Sequence, residues 1–75
     1  MHDHNVNRIL GAVKSSNIRL HGVLMDALVE TRGRTLVIAF PEGYDWHRAR
    51  TRENSETLMS LAKQMLGEGF DVVVT

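Results

Sequence analysis

The chain lacks cysteine, a net charge and any long apolar run. None of its 75 residues is cysteine, so no disulfide and no thiolate metal site supports the core. Nine basic residues balance nine acidic ones, whereas a strong non-specific nucleic-acid binder usually carries an excess of positive charge. The longest apolar run is far shorter than a membrane span, and the N-terminus lacks the hydrophobic region of a secretory signal. We therefore expect a cytoplasmic protein without a membrane segment.

The length of the chain suits one small domain. Because 43% of the residues are hydrophobic, a packed core is feasible. A domain of this size has a thin stability margin of about 4–11 kcal/mol. We expect residues 1–5 to form a disordered lead and residues 6–75 to form a single α+β domain. Since the chain stops at Thr75 inside a strand pattern, we expect it to be a fragment of a longer chain.

Two stretches near the N-terminus have the apolar spacing of amphipathic helices. Residues 6–13 place Val, Ile, Leu and Val at positions i, i+3, i+4 and i+7. Either Asn5 or Asp3 can cap this helix, because a short polar side chain accepts hydrogen bonds from the first turn. A second apolar stripe follows in residues 20–27, which predicts a second helix.

A β-hairpin is predicted in the middle of the chain. Residues 35–40 are rich in β-forming side chains and directly follow a tight turn at Gly33. Residues 28–31 could extend the second helix or begin a strand, and the β-rich run after the glycine turn favours a partner strand. Pro41 ends the second strand because proline cannot donate to a ladder. One face of the second strand is expected to carry its larger apolar residues: Leu36, Ile38 and Phe40.

The remaining segments complete a small layered fold. Residues 44–52 are expected to form a short helix or an ordered loop. The last helix should begin at Asn54 or Ser55 and end before Gly67, a natural C-terminal cap, and residues 70–75 should close the chain as a strand. The predicted order is α-α-β-β-(α)-α-β, and the predicted architecture is a three-stranded sheet with helices packed on one face.

This pattern resembles a known family. Two helices are followed by a Gly-x-x-Leu-x-Ile-x-Phe segment, an Arg- and His-rich stretch, Asn54, a Leu-rich helix ending in Leu66-Gly67, and a Val-rich strand. The whole resembles the C-terminal domain of the bacterial DNA polymerase III gamma/tau subunit, part of the clamp loader, over residues 6–74. The resemblance implies a K-homology-like fold, with α-β-β-α-α-β at its centre.

The resemblance also implies a function. In this family the ATPase and clamp-loading machinery lies near the N-terminus, and the C-terminal parts contact the replicative polymerase and the helicase. The present chain contains no G-x-x-x-x-G-K-[ST] phosphate loop. We therefore expect a non-catalytic protein-interaction domain that tethers replisome components during DNA replication. The expected partner is the polymerase or another replisome subunit, with no cofactor and no small-molecule substrate.

Aromatic and basic residues alternate in one segment, which contains Tyr44, Trp46, Arg48, Arg50 and Arg52. This mixture is used to stack bases and grip phosphates, and the same residue types are enriched at protein-interface hot spots. In a helix, Arg48 and Arg52 would share a face and Arg50 would point elsewhere. Three interpretations stay open: a protein contact, a nucleic-acid contact, or a solvated segment whose arginines pair with nearby acids while Trp46 covers the core edge.

The outward face of the sheet is a second candidate surface. If the larger apolar residues of the hairpin face the helices, then Val37, Ala39 and Val73 point away from them. An apolar strip of this kind is either a partner site or ordinary surface. An exposed edge strand could also accept a strand from another chain.

The alternative function is a small K-homology-like nucleic-acid-binding module. K-homology domains that bind RNA clamp its backbone with a G-x-x-G loop between helices. None of the six glycines in this chain stands three residues before another, which argues against this alternative. If nucleic acid binds at all, it is expected to bind weakly.

Neither catalysis nor metal binding is expected. Two sets of residues have suitable chemistry: His2, Asp3 and His4 at the N-terminus, and Asp45 with His47 and Ser55 or Ser60. The first set is interpreted as a floppy terminus or a tag remnant. The second lacks the Gly-x-Ser-x-Gly elbow that exposes a nucleophile. We therefore predict no catalytic residue and no metal site.

Overall fold

The computed structural model describes residues 4–75 and has the predicted α+β order. The elements in the described part of the chain are α1 (His4–Ser16), α2 (Ile18–Leu24), β1 (Leu28–Arg32), β2 (Thr35–Ala39), α3 (Asp45–Glu53), α4 (Ser55–Leu66) and β3 (Asp71–Val74). The segment expected to be a helix or an ordered loop is therefore a helix. None of the helices within residues 4–75 is long and apolar enough to cross a membrane.

The first two helices differ from the prediction at their ends. Because α1 begins at His4, it includes His4 and Asn5 from the expected lead, and Asn5 lies inside the helix rather than capping it. The other proposed cap, Asp3, falls outside the described residues. Helix α2 is capped by Asn17, whose Oδ1 accepts a hydrogen bond from the Leu20 N–H at 3.1 Å. The helix ends at Leu24, before the end of the predicted stripe.

The three strands form a mixed sheet in the order β1-β2-β3. Strand β1 pairs antiparallel with β2, and the predicted hairpin is confirmed, with Gly33 in the turn at φ 60°. Strand β3 pairs parallel to β2, with Leu36 opposite Val72. A parallel neighbour requires a crossover connection, and α3 and α4 supply it.

The core lies between one face of the sheet and the helices, as predicted. The sheet contributes Val29 from β1 and the alternating large residues of β2 and its end, while α1 and α4 supply most of the opposing side chains. The fully or nearly fully buried apolar residues are Val6, Ile9, Val13, Leu20, Leu24, Val29, Leu36, Ile38, Phe40, Leu58 and Ala62. This core leaves α3, which buries only Thr51, as the most polar element of the fold.

Candidate functional site

Helix α3 is attached to the end of β2 by Arg48. Its Nη2 atom donates to the carbonyl oxygens of Phe40 and Pro41 at 3.2 and 3.3 Å. Its Nη1 atom lies 2.9 Å from Oδ1 of Asp45 on the same helix. Only 19% of the Arg48 side chain is exposed. The guanidinium group is therefore occupied by main-chain acceptors and a carboxylate.

A second arginine attaches the other half of α3 to the end of β3. The Nη2 atom of Arg52 donates to the carbonyl oxygen of Val74 at 3.2 Å. Between the two arginines, the buried Thr51 hydroxyl donates to the His47 carbonyl oxygen at 2.8 Å. As the helical spacing predicts, Arg48 and Arg52 act on the same side of α3 and face the ends of the strands.

His47 connects α3 to the turn after α2. Its Nε2 atom lies 2.9 Å from Oδ2 of Asp26, and its ring stands among three aromatic rings. The ring centroids of Tyr44, Trp46 and Phe40 lie 4.9, 5.3 and 6.0 Å from that of His47. The Trp46 contact is edge-to-face, with an interplanar angle of 86°. This cluster holds one end of α3 against α2.

Trp46 is directed away from the core. Its side chain is 60% exposed, which contradicts the interpretation that it covers the core edge. The guanidinium carbon of Arg50 lies 5.3 Å from the centre of the Trp46 ring, within the range of a cation–π contact. Arg50 Nη1 also lies 3.5 Å from Oε2 of Glu53. Trp46 and Arg50 thus form an exposed pair on the outer side of α3.

The exposed pair borders a groove between α2 and α3 with a volume of about 590 Å³. Its lining includes two arginines, three apolar residues and a glycine: Arg19, Arg50, Leu20, Val23, Trp46 and Gly22. Val23 and the exposed Trp46 supply most of the apolar surface, because Leu20 is buried in the core. Arg19 and Arg50 supply positive charge from opposite helices. In the described part of the chain, no acidic residue lines this groove. We define these residues as the α2–α3 groove.

Gly22 opens one wall of the α2–α3 groove. A Cβ atom built on Gly22 would have no heavy atom within 4 Å, apart from its neighbours and its own helix. Gly11 on α1 has the same open surroundings, but it does not line the groove. A side chain at Gly22 would therefore project into free space beside Trp46, without a steric reason to distort the helix.

The outward face of the sheet carries the other predicted residues. Val37 of β2 lies opposite both Glu30 of β1 and Val73 of β3, so these three side chains share the face that is turned away from the helices. Val73 is 40% exposed, whereas Val37 is half-buried. Leu28, which the sequence analysis did not select, shares this face and is 62% exposed. We define these residues as the outer sheet face.

The seven predicted partner-binding residues therefore separate into three groups. Trp46 and Arg50 border the α2–α3 groove, and Tyr44 packs beside them on His47. Arg48 and Arg52 bind main-chain carbonyls at the ends of the strands. Val37 and Val73 lie on the outer sheet face.

The residues that α2 contributes to the α2–α3 groove were not predicted, although their helical spacing is visible in the sequence. Arg19, Gly22 and Val23 are spaced i, i+3 and i+4, so they lie on one side of a helix. Trp46 and Arg50 have the same relation on α3. Periodicity alone, however, does not place those two sides next to each other.

The residues considered for catalysis do not form a triad. Asp45 pairs with Arg48, and His47 pairs with Asp26, so the two are not partners in the described structure. Within residues 4–75 there is no group of three or more His, Asp or Glu side chains that could hold a metal ion. His2 and Asp3 lie outside the described residues.

Comparison with protein families agrees with the resemblance over almost the whole chain. The family model for the C-terminal domain of DNA polymerase III subunit tau matches residues 2–75. The chain belongs to this family. Searches of curated proteins and of solved structures gave no significant match. The K-homology likeness of this tau-family domain therefore stays a prediction, although its central order α2-β1-β2-α3-α4-β3 is the expected one.

Proposed function

We propose that this tau-family domain is a non-catalytic protein-interaction module that tethers replisome components in the bacterial cytoplasm. Its partner is the polymerase or another replisome subunit, and the α2–α3 groove is the contact surface. Family membership supports a role in the DNA polymerase III complex. The exposed Trp46–Arg50 pair is the observation that supports this surface.

Trp46 is a costly residue to leave in solvent in a domain this small. Burying a large apolar side chain contributes about 1.5–3 kcal/mol, which is a substantial part of the stability of a small domain. The fold nevertheless leaves 60% of Trp46 exposed and holds its helix with Arg48, Arg52 and His47. A tryptophan beside an arginine has the composition of an interface hot spot, because the tryptophan side chain has only two torsion angles and loses little entropy when a partner covers it.

The same geometry disfavours the nucleic-acid alternative. Arg48 is largely buried and, like Arg52, donates to main-chain carbonyls, so fewer N–H groups of the basic segment are available to phosphates. Only Asn54 separates α3 from α4, and this junction contains no glycine where a K-homology domain would carry its G-x-x-G clamp. A protein partner fits the remaining exposed residues better.

Binding to the cognate polymerase tests this proposal directly. The wild-type chain is titrated with the catalytic subunit of DNA polymerase III from the same organism, and affinity is measured by biolayer interferometry. Trp46→Ala should weaken binding by about tenfold or more, as expected for a hot-spot residue. Leu28→Ala is the matched control, because Leu28 is equally exposed but lies on the outer sheet face.

The outcomes separate the candidate surfaces. If Leu28→Ala or Val73→Ala weakens binding and Trp46→Ala does not, the contact surface is the outer sheet face and the assignment to the groove fails. Absence of binding to both the catalytic subunit and the replicative helicase at high micromolar concentration would overturn the tethering function. Tight binding to single-stranded DNA, weakening with log salt by about 0.7 per phosphate contacted, would favour the alternative instead.

A further inference from the structure

We infer that the α2–α3 groove recognises a short acidic segment of the partner protein, with one large apolar side chain flanked by carboxylates. This inference rests on the proposed function and goes further, because it specifies the chemistry of the segment that binds. Three features carry it: an apolar surface within the groove, two arginines on opposite sides, and a missing side chain on one wall.

The apolar surface explains the anchor side chain. Leu20 and Val23 of α2 and the exposed Trp46 of α3 line the same groove. Its volume of about 590 Å³ lies within the range of pockets that bury most of a small molecule, so it can accept a large side chain. Because Leu20 is already buried, an aromatic or leucine anchor would remove Val23 and Trp46 from water together.

The arginines explain the carboxylates. Arg19 is exposed and forms no ion pair within residues 4–75. The pair between Arg50 and Glu53 is long, at 3.5 Å, and the two side chains are 49% and 65% exposed, so a partner carboxylate can replace Glu53 at little cost. A guanidinium group presents a planar fork that matches a carboxylate.

The surrounding charges reinforce this preference. No acidic residue lines the groove in the described part of the chain, and the nearby Asp26 is paired with His47. The chain as a whole has no net charge, so Arg19 and Arg50 attract an acidic segment locally and the protein as a whole does not. An acidic peptide is therefore attracted by the two arginines that line the groove.

Gly22 permits the partner backbone to approach α2. Because nothing lies within 4 Å of a Cβ built there, the glycine is not required by packing inside the domain. A longer side chain at this position should enter the groove and compete with the partner segment. Gly11 has the same freedom on α1 but lies outside the groove, so it provides a matched control.

Two probe peptides test the charge requirement. The first contains phenylalanine flanked by glutamates, and the second has glutamine in place of every glutamate. Binding is followed by the fluorescence of Trp46, the single tryptophan of the chain. The glutamate peptide should bind about tenfold more tightly at low salt, and the difference should shrink as the ionic strength rises towards about 1 M. Equal affinity of the two peptides would overturn the inference.

Substitutions test the location. Arg19→Glu and Gly22→Gln should each lower the affinity for the glutamate peptide by about tenfold. The matched controls Arg8→Glu and Gly11→Gln should leave that affinity unchanged. Arg8 is an exposed arginine of α1 that does not line the groove. If both groove variants bind the peptide as tightly as the wild type does, the inference is wrong. Circular dichroism confirms that each variant is folded.

The intact polymerase separates this inference from the proposed function. If the catalytic subunit binds the wild type and both groove variants equally, the proposed tethering function is retained. The inference that the groove recognises an acidic segment is then wrong. If the subunit and the helicase do not bind the wild type at all, the proposed function itself fails. Displacement of the glutamate peptide by a short single-stranded oligonucleotide at equal concentration would also overturn the inference, because the groove would then prefer phosphates.

Discussion

Replacing Arg48 with methionine should destabilise the domain more than the same replacement at Arg50 or Arg52. Methionine keeps an unbranched apolar stem of similar reach, so the variant removes the guanidinium group and retains most of the packing. The lost contacts are the hydrogen bonds to the carbonyl oxygens of Phe40 and Pro41 and the pair with Asp45. In the variant, the Phe40 carbonyl oxygen loses the hydrogen-bond donor that Arg48 supplies.

The magnitude follows from these contacts. Both carbonyl bonds come from Nη2, at the long distances of 3.2 and 3.3 Å, so together they count as one charged hydrogen bond of about 1.5 kcal/mol. The Asp45 side chain is 92% exposed, so its pair with Arg48 adds only about 0.3–0.5 kcal/mol. The free energy of unfolding should therefore fall by about 2 kcal/mol in total. For a domain of this size, the melting temperature should then fall by roughly 8–16 °C.

Urea unfolding followed by circular dichroism measures this loss. Arg50→Met is the matched control on the same helix, because Arg50 has only a weak pair with Glu53 and a contact with Trp46. Its cost should not exceed about 1 kcal/mol. If Arg48→Met costs less than about 0.5 kcal/mol, or no more than Arg50→Met, the attachment of α3 through Arg48 is refuted.

Two further stability predictions concern the cap and the core. Asn17→Ala should cost about 0.5–2 kcal/mol, because the N–H of Leu20 loses its acceptor, and Asn17→Ser should restore most of the loss; equal unfolding midpoints for the two variants in urea would contradict the cap. Leu58→Ala should cost about 2–5 kcal/mol, because Leu58 is fully buried, whereas Ile18→Ala should stay within about 0.5 kcal/mol; comparable melting temperatures for these two variants would contradict the placement of the core.

The sheet could be predicted because its signals are local. In β2, alternation places Leu36 and Ile38 on one face, and the structure buries both. The β-rich run after Gly33 favoured a hairpin over an extension of α2 for residues 28–31, and the structure pairs them with β2. The first boundary was less accurate, since α1 begins at His4 and a polar helix start resembles a loop in composition.

The groove could not be predicted because it depends on how two helices are placed. Helical spacing correctly separated Arg50 from Arg48 and Arg52, but it did not identify the acceptors of the latter two. Those acceptors are main-chain carbonyls at the ends of strands, and every residue type has a carbonyl. No side-chain pattern therefore distinguishes Phe40 or Val74 as an arginine partner before the fold is known.

The polar attachment of α3 accounts for its exposed tryptophan. A helix held to the core by apolar residues would bury its largest apolar side chain first, and in α3 that residue would be Trp46. Here Arg48 and Arg52 instead donate to carbonyl oxygens at the ends of the strands. Thr51 lies buried between them, and its hydroxyl donates to the His47 carbonyl within the helix. Trp46 is consequently free to face solvent beside α2. If α3 carries the proposed contact surface, stability and recognition use different sides of the same helix, so that surface can change without loss of the fold.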